Sequence, residues 1–196
     1  MEVGLLYSGG KDSTLAALLL DGLSDVTLLC CTFGLTDDHE HAREAAAAIG
    51  LPARRVELDP DVAREAVEQI DADGFPRNGI QRVHEHALEV AAGLGYDAVA
   101  DGTRRGDRVP TVDRPLAQRI EDRHGTAHLA PLAGVGRAAV DALVAEHLVV
   151  ETGPSASVPK GDYEAELRAL LAAEHGSDRV AELFPEHTQS RVLGRA

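Results

Sequence analysis

The heptapeptide at residues 8–14, SGGKDST, constrains this chain more than any other segment. It follows an apolar run at residues 3–7 that is typical of a buried parallel strand, and it precedes an apolar run at residues 15–20 that is typical of a buried helix. Glycines at such a junction let the backbone approach an anion closely, and free N–H groups at the helix start favour negative charge. The order of strand, glycine turn, lysine and helix therefore predicts an anion-binding loop.

The spacing within this loop excludes two common phosphate-binding motifs. A Walker loop has Gly, four residues and then Gly-Lys-Ser/Thr. Gly4 and Gly9 have the required separation, but Gly10 stands where the lysine should be, and Asp12 follows Lys11 in place of Ser or Thr. The dinucleotide fingerprint G-x-G-x-x-G is also absent from this turn. The loop therefore belongs to neither class.

The segment Ser-Gly-Gly-Lys-Asp-Ser closely resembles the PP-loop of the N-type ATP pyrophosphatase family. In that family the loop binds the β,γ-pyrophosphate of ATP, and AMP is transferred to a carbonyl or carboxylate oxygen with release of pyrophosphate. The resemblance implies that this loop binds ATP through the following residues: Ser8, Gly9, Gly10, Lys11, Asp12, Ser13 and Thr14. A plain glycine turn is the alternative, but it does not explain a buried Lys-Asp pair.

Composition indicates one domain in a reducing compartment. A chain of 196 residues is long enough for one well-buried core. No apolar stretch approaches the roughly twenty residues of a membrane span, and the chain begins directly with a strand pattern, which predicts that there is no signal peptide. The two cysteines, Cys30 and Cys31, are adjacent and cannot form a disulfide framework. These features predict a cytoplasmic protein.

The charge balance is strongly acidic, with 33 acidic against 19 basic residues and a net charge of −14. An acidic, lysine-poor surface resembles that of proteins from salt-rich cytoplasms, although a high-GC genome also favours Arg over Lys. This charge argues against a broad nucleic-acid footprint without excluding a local arginine patch. Lys11 and Lys160 are the only lysines in the chain, so a lysine within the glycine turn suggests a role that a planar guanidinium would fill badly.

The alternation of strand and helix patterns predicts an α/β fold, an open parallel sheet of about five strands with helices on both faces. The PP-loop resemblance implies the Rossmann-like, adenine nucleotide alpha hydrolase type of this fold. Strands are predicted at residues 3–7, 26–33, 54–58, 96–100 and 126–129. Helices are predicted at residues 15–20, 37–49, 62–70, 80–94 and 137–147, with a loop at residues 71–79 in which Asn78 caps the next helix.

Residues 1–150 are predicted to form the ATP-binding domain, and residues 151–196 a linker with a helical C-terminal extension. The linker is placed at residues 152–157, and helices at residues 162–174 and 177–184. A polar cluster around His187 follows Pro185. It either folds back over the site or remains a frayed terminus.

A second cluster of charged residues follows the fourth predicted strand, at residues 101–110. Ligands of open parallel sheets bind at the carboxyl ends of strands, so these residues are placed to contribute. The Gly-Thr pair and the later aspartate resemble the second motif of the NAD- and GMP-synthase types, which implies roles for Gly102, Thr103, Arg104 and Asp107. A solvated, salt-bridged turn is the alternative.

Three carboxylates, those of Asp12, Asp101 and Asp107, are candidate ligands of Mg²⁺, and Lys11, Asp12 and Asp107 are the candidate catalytic residues. Arg104, with Arg105 and Arg108, would balance triphosphate charge. In the family the end of the second strand lies against the adenine, so Phe33 either covers the base or is a core aromatic.

The whole chain resembles small archaeal PP-loop proteins described as predicted tRNA-thiolation subunits, through residues 8–13, 101–110, 121–125 and 184–191. Thiolating relatives commonly use paired or clustered cysteines. Cys30 and Cys31 would point to opposite faces of one strand, so we expect core residues, and thiolation would need an external sulfur source. The spacing of the nine histidines does not indicate a metal site.

The predicted function is an ATP pyrophosphatase that binds Mg·ATP and adenylates a substrate oxygen, with tRNA or a small molecule as the acceptor. One alternative is an amidating enzyme for a small metabolite, supplied with ammonia by a partner protein. Another is a non-catalytic nucleotide-binding subunit. The sequence does not determine the oligomeric state, and a homodimer is the commonest assembly.

Overall fold

A five-stranded parallel sheet lies at the centre of the computed structural model, which describes residues 1–155 and 157–196. Its strands are β1 (Glu2–Leu6), β2 (Asp25–Thr32), β3 (Ala53–Glu57), β4 (Ala98–Ala100) and β5 (Ala127–Leu129). The strand order is β3-β2-β1-β4-β5, and every pair is parallel. The order reverses between β1 and β4, which is where open parallel sheets bind ligands.

Helices cover both faces of this sheet, as predicted. They are α1 (Lys11–Asp21), α2 (His39–Ile49), α3 (Pro60–Asp73), α4 (Arg77–Ala92), α5 (Arg114–His124), α6 (Arg137–His147), α7 (Tyr163–His175) and α8 (Ser177–Leu183). Alternate residues of β2 enter two separate cores: Leu28 and Cys30 pack with α1, α2 and α6, whereas Leu29 and Cys31 pack with α3, α4 and α7. The period of two along each strand thus produces the two layers. The predicted fold class is confirmed.

Two local predictions around the third and fourth helices are wrong. The loop expected at residues 71–79 is much shorter, because α3 continues to Asp73 and α4 begins at Arg77. Asn78 does not cap α4; it lies within the helix, and its side-chain amide donates to Asp73 over 2.7 Å.

Helix α5 was not predicted from the sequence, although Asp113 caps its start by accepting a hydrogen bond from the Leu116 amide over 2.9 Å.

The C-terminal extension is not purely helical. Its helices α7 and α8 are present, but β6 (Leu148–Pro154) and β7 (Thr188–Arg195) form an antiparallel sheet on either side of them. Part of the expected linker at residues 152–157 is therefore strand, and Ala156 of that linker lies outside the described residues. The predicted boundary at residue 150 falls within β6. The described helices are all too short or too polar to cross a bilayer.

Substituting Gly79 with alanine is expected to lower the free energy of unfolding by about 1–3 kcal/mol. A Cβ at Gly79 would lie 2.5 Å from Cγ1 of Ile70 and 2.6 Å from the carbonyl oxygen of Ala66, so α3 and α4 would have to separate. Gly22→Ala is the matched control, because nothing lies within 4 Å of its Cβ position and its φ of −75° suits alanine. Urea unfolding measures both, and equal stability of the two variants would contradict this packing.

Candidate functional site

The glycine turn between β1 and α1 has a backbone conformation that requires glycine. Gly9 has a φ of 76°, which favours glycine, and a Cβ there would lie 3.2 Å from Cα of Ala42. Gly10 is the N-cap of α1 and has no side chain to satisfy the first amides of the helix. Those amides, together with the helix dipole, make the loop electrostatically positive.

The hydroxyl groups of the loop have two different roles. Ser8 and Ser13 lie 3.3 Å apart, Oγ to Oγ, and both line a cavity. Thr14 was also expected to contact ATP, but it is completely buried. Its hydroxyl donates to the Gly10 carbonyl over 2.9 Å and lies 3.0 Å from the Tyr7 hydroxyl. Thr14 therefore stabilises the turn from within instead of facing a ligand.

The cavity has a volume of about 380 Å³ and lies at the carboxyl ends of β1 and β4. One end is polar and is lined by Ser8, Asp12, Ser13, Gly102, Thr103 and Lys160. The rest of the lining combines apolar side chains with a few polar groups, among them Leu29, Cys31, Ile80, His84 and Tyr163. This volume and this mixture of linings are typical of small-molecule sites.

Lys11 is turned toward α6 at this site. Its Nζ lies 2.7 Å from Oδ1 of Asp12 and 3.0 Å from Oδ1 of Asp141, and its side chain is 21% exposed. The hydrogen bond from Lys11 lowers the pKa of Asp141. Lys11 is thus at the loop, as predicted, but is held by two carboxylates beside the cavity.

Lys160, which sequence reasoning overlooked, is the lysine that lines the cavity. The Lys160 side chain passes close to Gly10, since a Cβ added at Gly10 would lie 3.1 Å from Cε of Lys160. The next residue, Gly161, donates its amide to the Ser8 carbonyl over 3.1 Å. Burial opposes the charge of Lys160, but Asp162, whose Oδ2 is 2.6 Å from Nζ, outweighs that effect and raises the pKa of Lys160. Both lysines of the chain therefore meet at one loop.

The segment after β4 contacts the start of α1 directly. A Cβ at Gly102 would lie 2.7 Å from both N and Cα of Ser13, so only glycine permits this approach. Arg104 holds Asp107 through its Nε, 2.8 Å from Oδ1, and lies 3.7 Å from Asp12 through its NH1. The two predicted motifs are therefore brought together at the polar end of the cavity.

Asp101 was expected to bind Mg²⁺, but its carboxylate is buried and already hydrogen-bonded within the fold. Its carboxylate is 1% exposed, accepts from the Thr103 amide over 2.7 Å and lies 2.9 Å from Nε2 of His128. Burial alone would raise its pKa, but contacts with His128, His84 and Thr103 hold that pKa far below the ordinary value. Asp101 is thus an internal anion of the fold with its oxygens already engaged.

A ready-made cage of three or more metal-binding side chains does not occur among the described residues. Mg²⁺ usually takes one or two protein carboxylates and completes its shell with phosphate oxygens and water. Asp12 lines the polar end of the cavity and its side chain is 31% exposed, but its Oδ1 is paired with Lys11, so it would hold Mg²⁺ only after that ion pair opens. Asp107 also lines the cavity but is paired with Arg104.

Phe33 is a core aromatic, 7% exposed and packed with the α3 and α4 cluster. The backbone around it is engaged by Glu166 of α7, whose buried carboxylate accepts from the Phe33 amide over 2.9 Å and the Leu35 amide over 3.0 Å. The Thr32 hydroxyl donates to the same carboxylate over 2.9 Å. The edge expected to face adenine is therefore occupied by the protein itself.

The two cysteines enter opposite cores, as expected, and only Cys31 lines the cavity among the described residues. Burial raises the pKa of each thiol to about 12, so both are protonated at neutral pH.

The C-terminal tail folds back over the site: His187 lines the cavity and the Ser190 hydroxyl accepts from the Lys11 amide over 3.3 Å. The frayed-terminus alternative is wrong.

The chain matches a family model, and it is similar to a curated protein and to solved structures. The model of a family of unknown function, DUF7411, matches residues 1–194. An uncharacterized protein of Methanocaldococcus jannaschii is 36% identical over 195 residues, which span 99% of this chain and 96% of that protein. A crystal structure from the same organism, described as a predicted subunit of tRNA methyltransferase, is 35% identical with a TM-score of 0.91, covering 100% of this chain and 98% of that one.

An NH3-dependent NAD synthetase from Campylobacter jejuni is a more distant structural neighbour. It is 17% identical with a TM-score of 0.46, and the match covers 74% of this chain and 62% of the synthetase. This likeness is too weak to carry an argument about activity.

Proposed function

We propose that this chain, which belongs to the DUF7411 family, is a PP-loop protein that binds Mg·ATP, transfers AMP to an acceptor oxygen and releases pyrophosphate. The observation that carries the proposal is the convergence of the α1 start, two serine hydroxyls and Lys160 at the polar end of one cavity. A triphosphate tail supplies the negative charge that such a site requires.

In this proposal the chain acts by positioning and electrostatics. The Ser8 and Ser13 hydroxyls and the first amides of α1 bind the β- and γ-phosphates, and Lys160 neutralises their charge. Lys11 is the first residue of α1, and its ammonium contributes once its carboxylate partners release it. Asp12 would hold the Mg²⁺, which when bound neutralises charge on the departing pyrophosphate.

The acceptor and the partner are proposed from a different observation. The M. jannaschii structure with a TM-score of 0.91 is described as a predicted subunit of tRNA methyltransferase. We therefore place this chain in RNA modification as one subunit of an assembly, with tRNA bound through the arginines at residues 104–108 and Arg77. Because both cysteines are protonated and buried, any sulfur or nitrogen nucleophile comes from the substrate or a partner.

The test is product analysis with labelled ATP. The full chain, incubated with Mg·ATP and a pool of tRNA or of metabolites, is expected to produce pyrophosphate and either AMP or an adenylated acceptor. Both pools are run at low and high salt, because RNA binding falls steeply as salt rises. Release of ADP and phosphate would contradict the proposed cleavage site, and a response to metabolites alone would support the amidating alternative.

A further inference from the structure

Five charged side chains form an ion network beside the cavity. Lys11 lies within it, with its Nζ 2.7 Å from Oδ1 of Asp12 and 3.0 Å from Oδ1 of Asp141. The other oxygen of Asp12, Oδ2, lies 3.7 Å from NH1 of Arg104, whose Nε is 2.8 Å from Oδ1 of Asp107. Four of these residues belong to the two predicted motifs, whereas Asp141 comes from α6 and has no role in the proposed binding of ATP.

Asp141 is presented to the loop by a helix that is fixed in the fold. The preceding residue, Val140, is completely buried in the core that α6 shares with α1 and α2. The start of α6 also contacts the segment after β4, since a Cβ added at Gly136 would lie 2.8 Å from a guanidinium nitrogen of Arg105. The carboxylate is therefore held close to Lys11, although its own side chain is 50% exposed.

The contact with Asp141 keeps the Lys11 ammonium beside the cavity. Asp12 lines the cavity, whereas neither Lys11 nor Asp141 is among its lining residues in the described part of the chain. The backbone of Lys11 is fixed at the start of α1, where its amide donates to the Ser190 hydroxyl over 3.3 Å. A rotation of the flexible lysine stem, without a change of backbone, would therefore carry the ammonium from Asp141 to a phosphate at the loop.

We infer that Asp141 is a positioning residue for Lys11, which competes with the phosphates of a nucleotide for the ammonium and so lowers the affinity of the loop for ATP. The inference rests on the proposed binding of ATP at this loop. An ammonium that bridged Asp141 and a phosphate would bring two anions close together, which is unfavourable. The observed dissociation constant is therefore the intrinsic one divided by the fraction of molecules in which the ammonium is free.

The two carboxylates that hold Lys11 differ in what Mg·ATP offers them. Asp12 exchanges the ammonium for Mg²⁺, which prefers carboxylate ligands. Asp141 gains no new partner, and once Lys11 leaves, its other cation is Arg137 of the same helix, whose Nε lies 3.8 Å from Oδ2. Asp141 is therefore the carboxylate whose removal frees Lys11 without removing a group of the proposed site.

The exposure of the pair determines the size of the effect. The Lys11 side chain is 21% exposed and that of Asp141 is 50% exposed, so water and salt screen their attraction. Ion pairs of this kind change an equilibrium by about two- to fivefold. Asp141→Asn keeps the shape of the side chain and removes its charge, and we expect it to tighten nucleotide binding by that factor.

A binding titration of the full chain with Mg²⁺ and α,β-methylene ATP, at a fixed salt concentration, tests the competition. We expect Asp141→Asn to bind the analogue about two- to fivefold more tightly than the parent chain. Glu146→Gln is the matched control, because it removes one negative charge from an exposed position further along α6 and should bind as the parent does. In a Lys11→Met background the gain from Asp141→Asn should disappear, since no ammonium remains to compete for.

Three outcomes of this titration would overturn the inference. They are equal affinities of Asp141→Asn and the parent chain, an equal gain in Glu146→Gln, and a gain that persists in the Lys11→Met background. The second and third would show that the charge of Asp141 acts on the nucleotide through the general field and not through the lysine. Urea unfolding confirms that each variant is folded.

The scarcity of lysine allows the ammonium group to be followed directly. With ¹³C at lysine Cε the full chain has two signals, because Lys11 and Lys160 are its only lysines, and Lys160→Arg identifies each of them. We expect the Lys11 signal to shift in Asp141→Asn, and to shift in the parent chain when Mg²⁺ and α,β-methylene ATP are added. A Lys11 signal that Asp141→Asn leaves unchanged would show that the carboxylate does not hold the lysine.

A kinetic comparison separates this inference from the proposed function. With a pool that supports pyrophosphate release, Asp141→Asn is expected to lower KM for ATP by the same factor and leave kcat unchanged, because the competition ends once Lys11 has left Asp141. A lower kcat would contradict a role limited to holding Lys11. If no pool supports release but Asp141→Asn still tightens binding through Lys11, the adenylation proposal fails and the inference stands. If neither the parent chain nor Asp141→Asn binds the analogue, both fail.

Discussion

Replacing Lys160 with alanine is expected to lower pyrophosphate release by about 10²–10³-fold, the effect of removing one preorganised charge from a site where negative charge accumulates. Lys160 lines the polar end of the cavity, and its stem packs against the loop beside Gly10. Its segment is fixed to the loop by the Gly161 amide, which donates to the Ser8 carbonyl, and its ammonium is held 2.6 Å from Oδ2 of Asp162 before the nucleotide arrives.

Two further variants make this prediction sharper. Lys160→Arg keeps the charge but replaces the compact ammonium that pairs with Asp162 by a larger planar guanidinium, so we expect only partial recovery. Arg54→Ala, on the exposed edge strand β3, removes one positive charge outside the cavity lining and should leave the rate unchanged. Rates are measured with saturating ATP and at a fixed salt concentration.

Lys11→Ala is expected to abolish pyrophosphate release with little effect on folding. Comparing this variant with Lys160→Ala tests which lysine acts on the phosphates. Lys11 is held by two carboxylates, those of Asp12 and Asp141, beside the cavity, whereas Lys160 lines the cavity and is paired with one carboxylate, that of Asp162. Full activity of Lys160→Ala beside an inactive Lys11→Ala would show that Lys160 only supports the loop. Normal turnover of Lys11→Ala would count against the PP-loop mechanism itself.

Local features of the chain were predictable because their causes are close in sequence. The glycine turn, its lysine and the flanking strand and helix occupy one continuous segment, and the order of a short apolar run, a glycine turn and a second apolar run indicates a strand followed by a helix. The same holds for the alternation that places Cys30 and Cys31 in different cores. The sequence placed the two motifs at the same edge of the sheet, but it did not predict the direct contact of Gly102 with Ser13.

The parts that sequence reasoning missed depend on partners far apart in the chain. Lys160 comes from the extension beyond β6, and the Ser190 hydroxyl reaches the Lys11 amide from 179 residues away. Strand β7 begins with polar residues, and neither β7 nor its partner β6 shows the alternation of apolar and polar residues that indicates a strand. Strand β7 packs against α2 and contacts the glycine turn, and these contacts are evident only in the folded structure.

Glu166 illustrates this limit and carries the second large effect. In sequence it lies between apolar residues of α7 and shows no distinguishing motif, yet it is 2% exposed. Its carboxylate accepts from the Phe33 and Leu35 amides and from the Thr32 hydroxyl, and so attaches α7 to the end of β2. This attachment also positions Tyr163, which begins the same helix on the wall of the cavity.

Glu166→Ala is expected to lower the free energy of unfolding by about 3–5 kcal/mol, because it leaves the buried Phe33 amide, the partly buried Leu35 amide and the buried Thr32 hydroxyl without their acceptor. Glu166→Gln keeps one acceptor oxygen but directs an NH₂ group at the remaining donors, so an intermediate loss is expected. Glu174→Ala, at an exposed position near the end of the same helix, is the control and should stay within about 0.5 kcal/mol of the parent chain. Urea unfolding at constant salt measures all three, and a Glu166→Ala midpoint equal to that of Glu174→Ala would show that the carboxylate does not hold α7 in place.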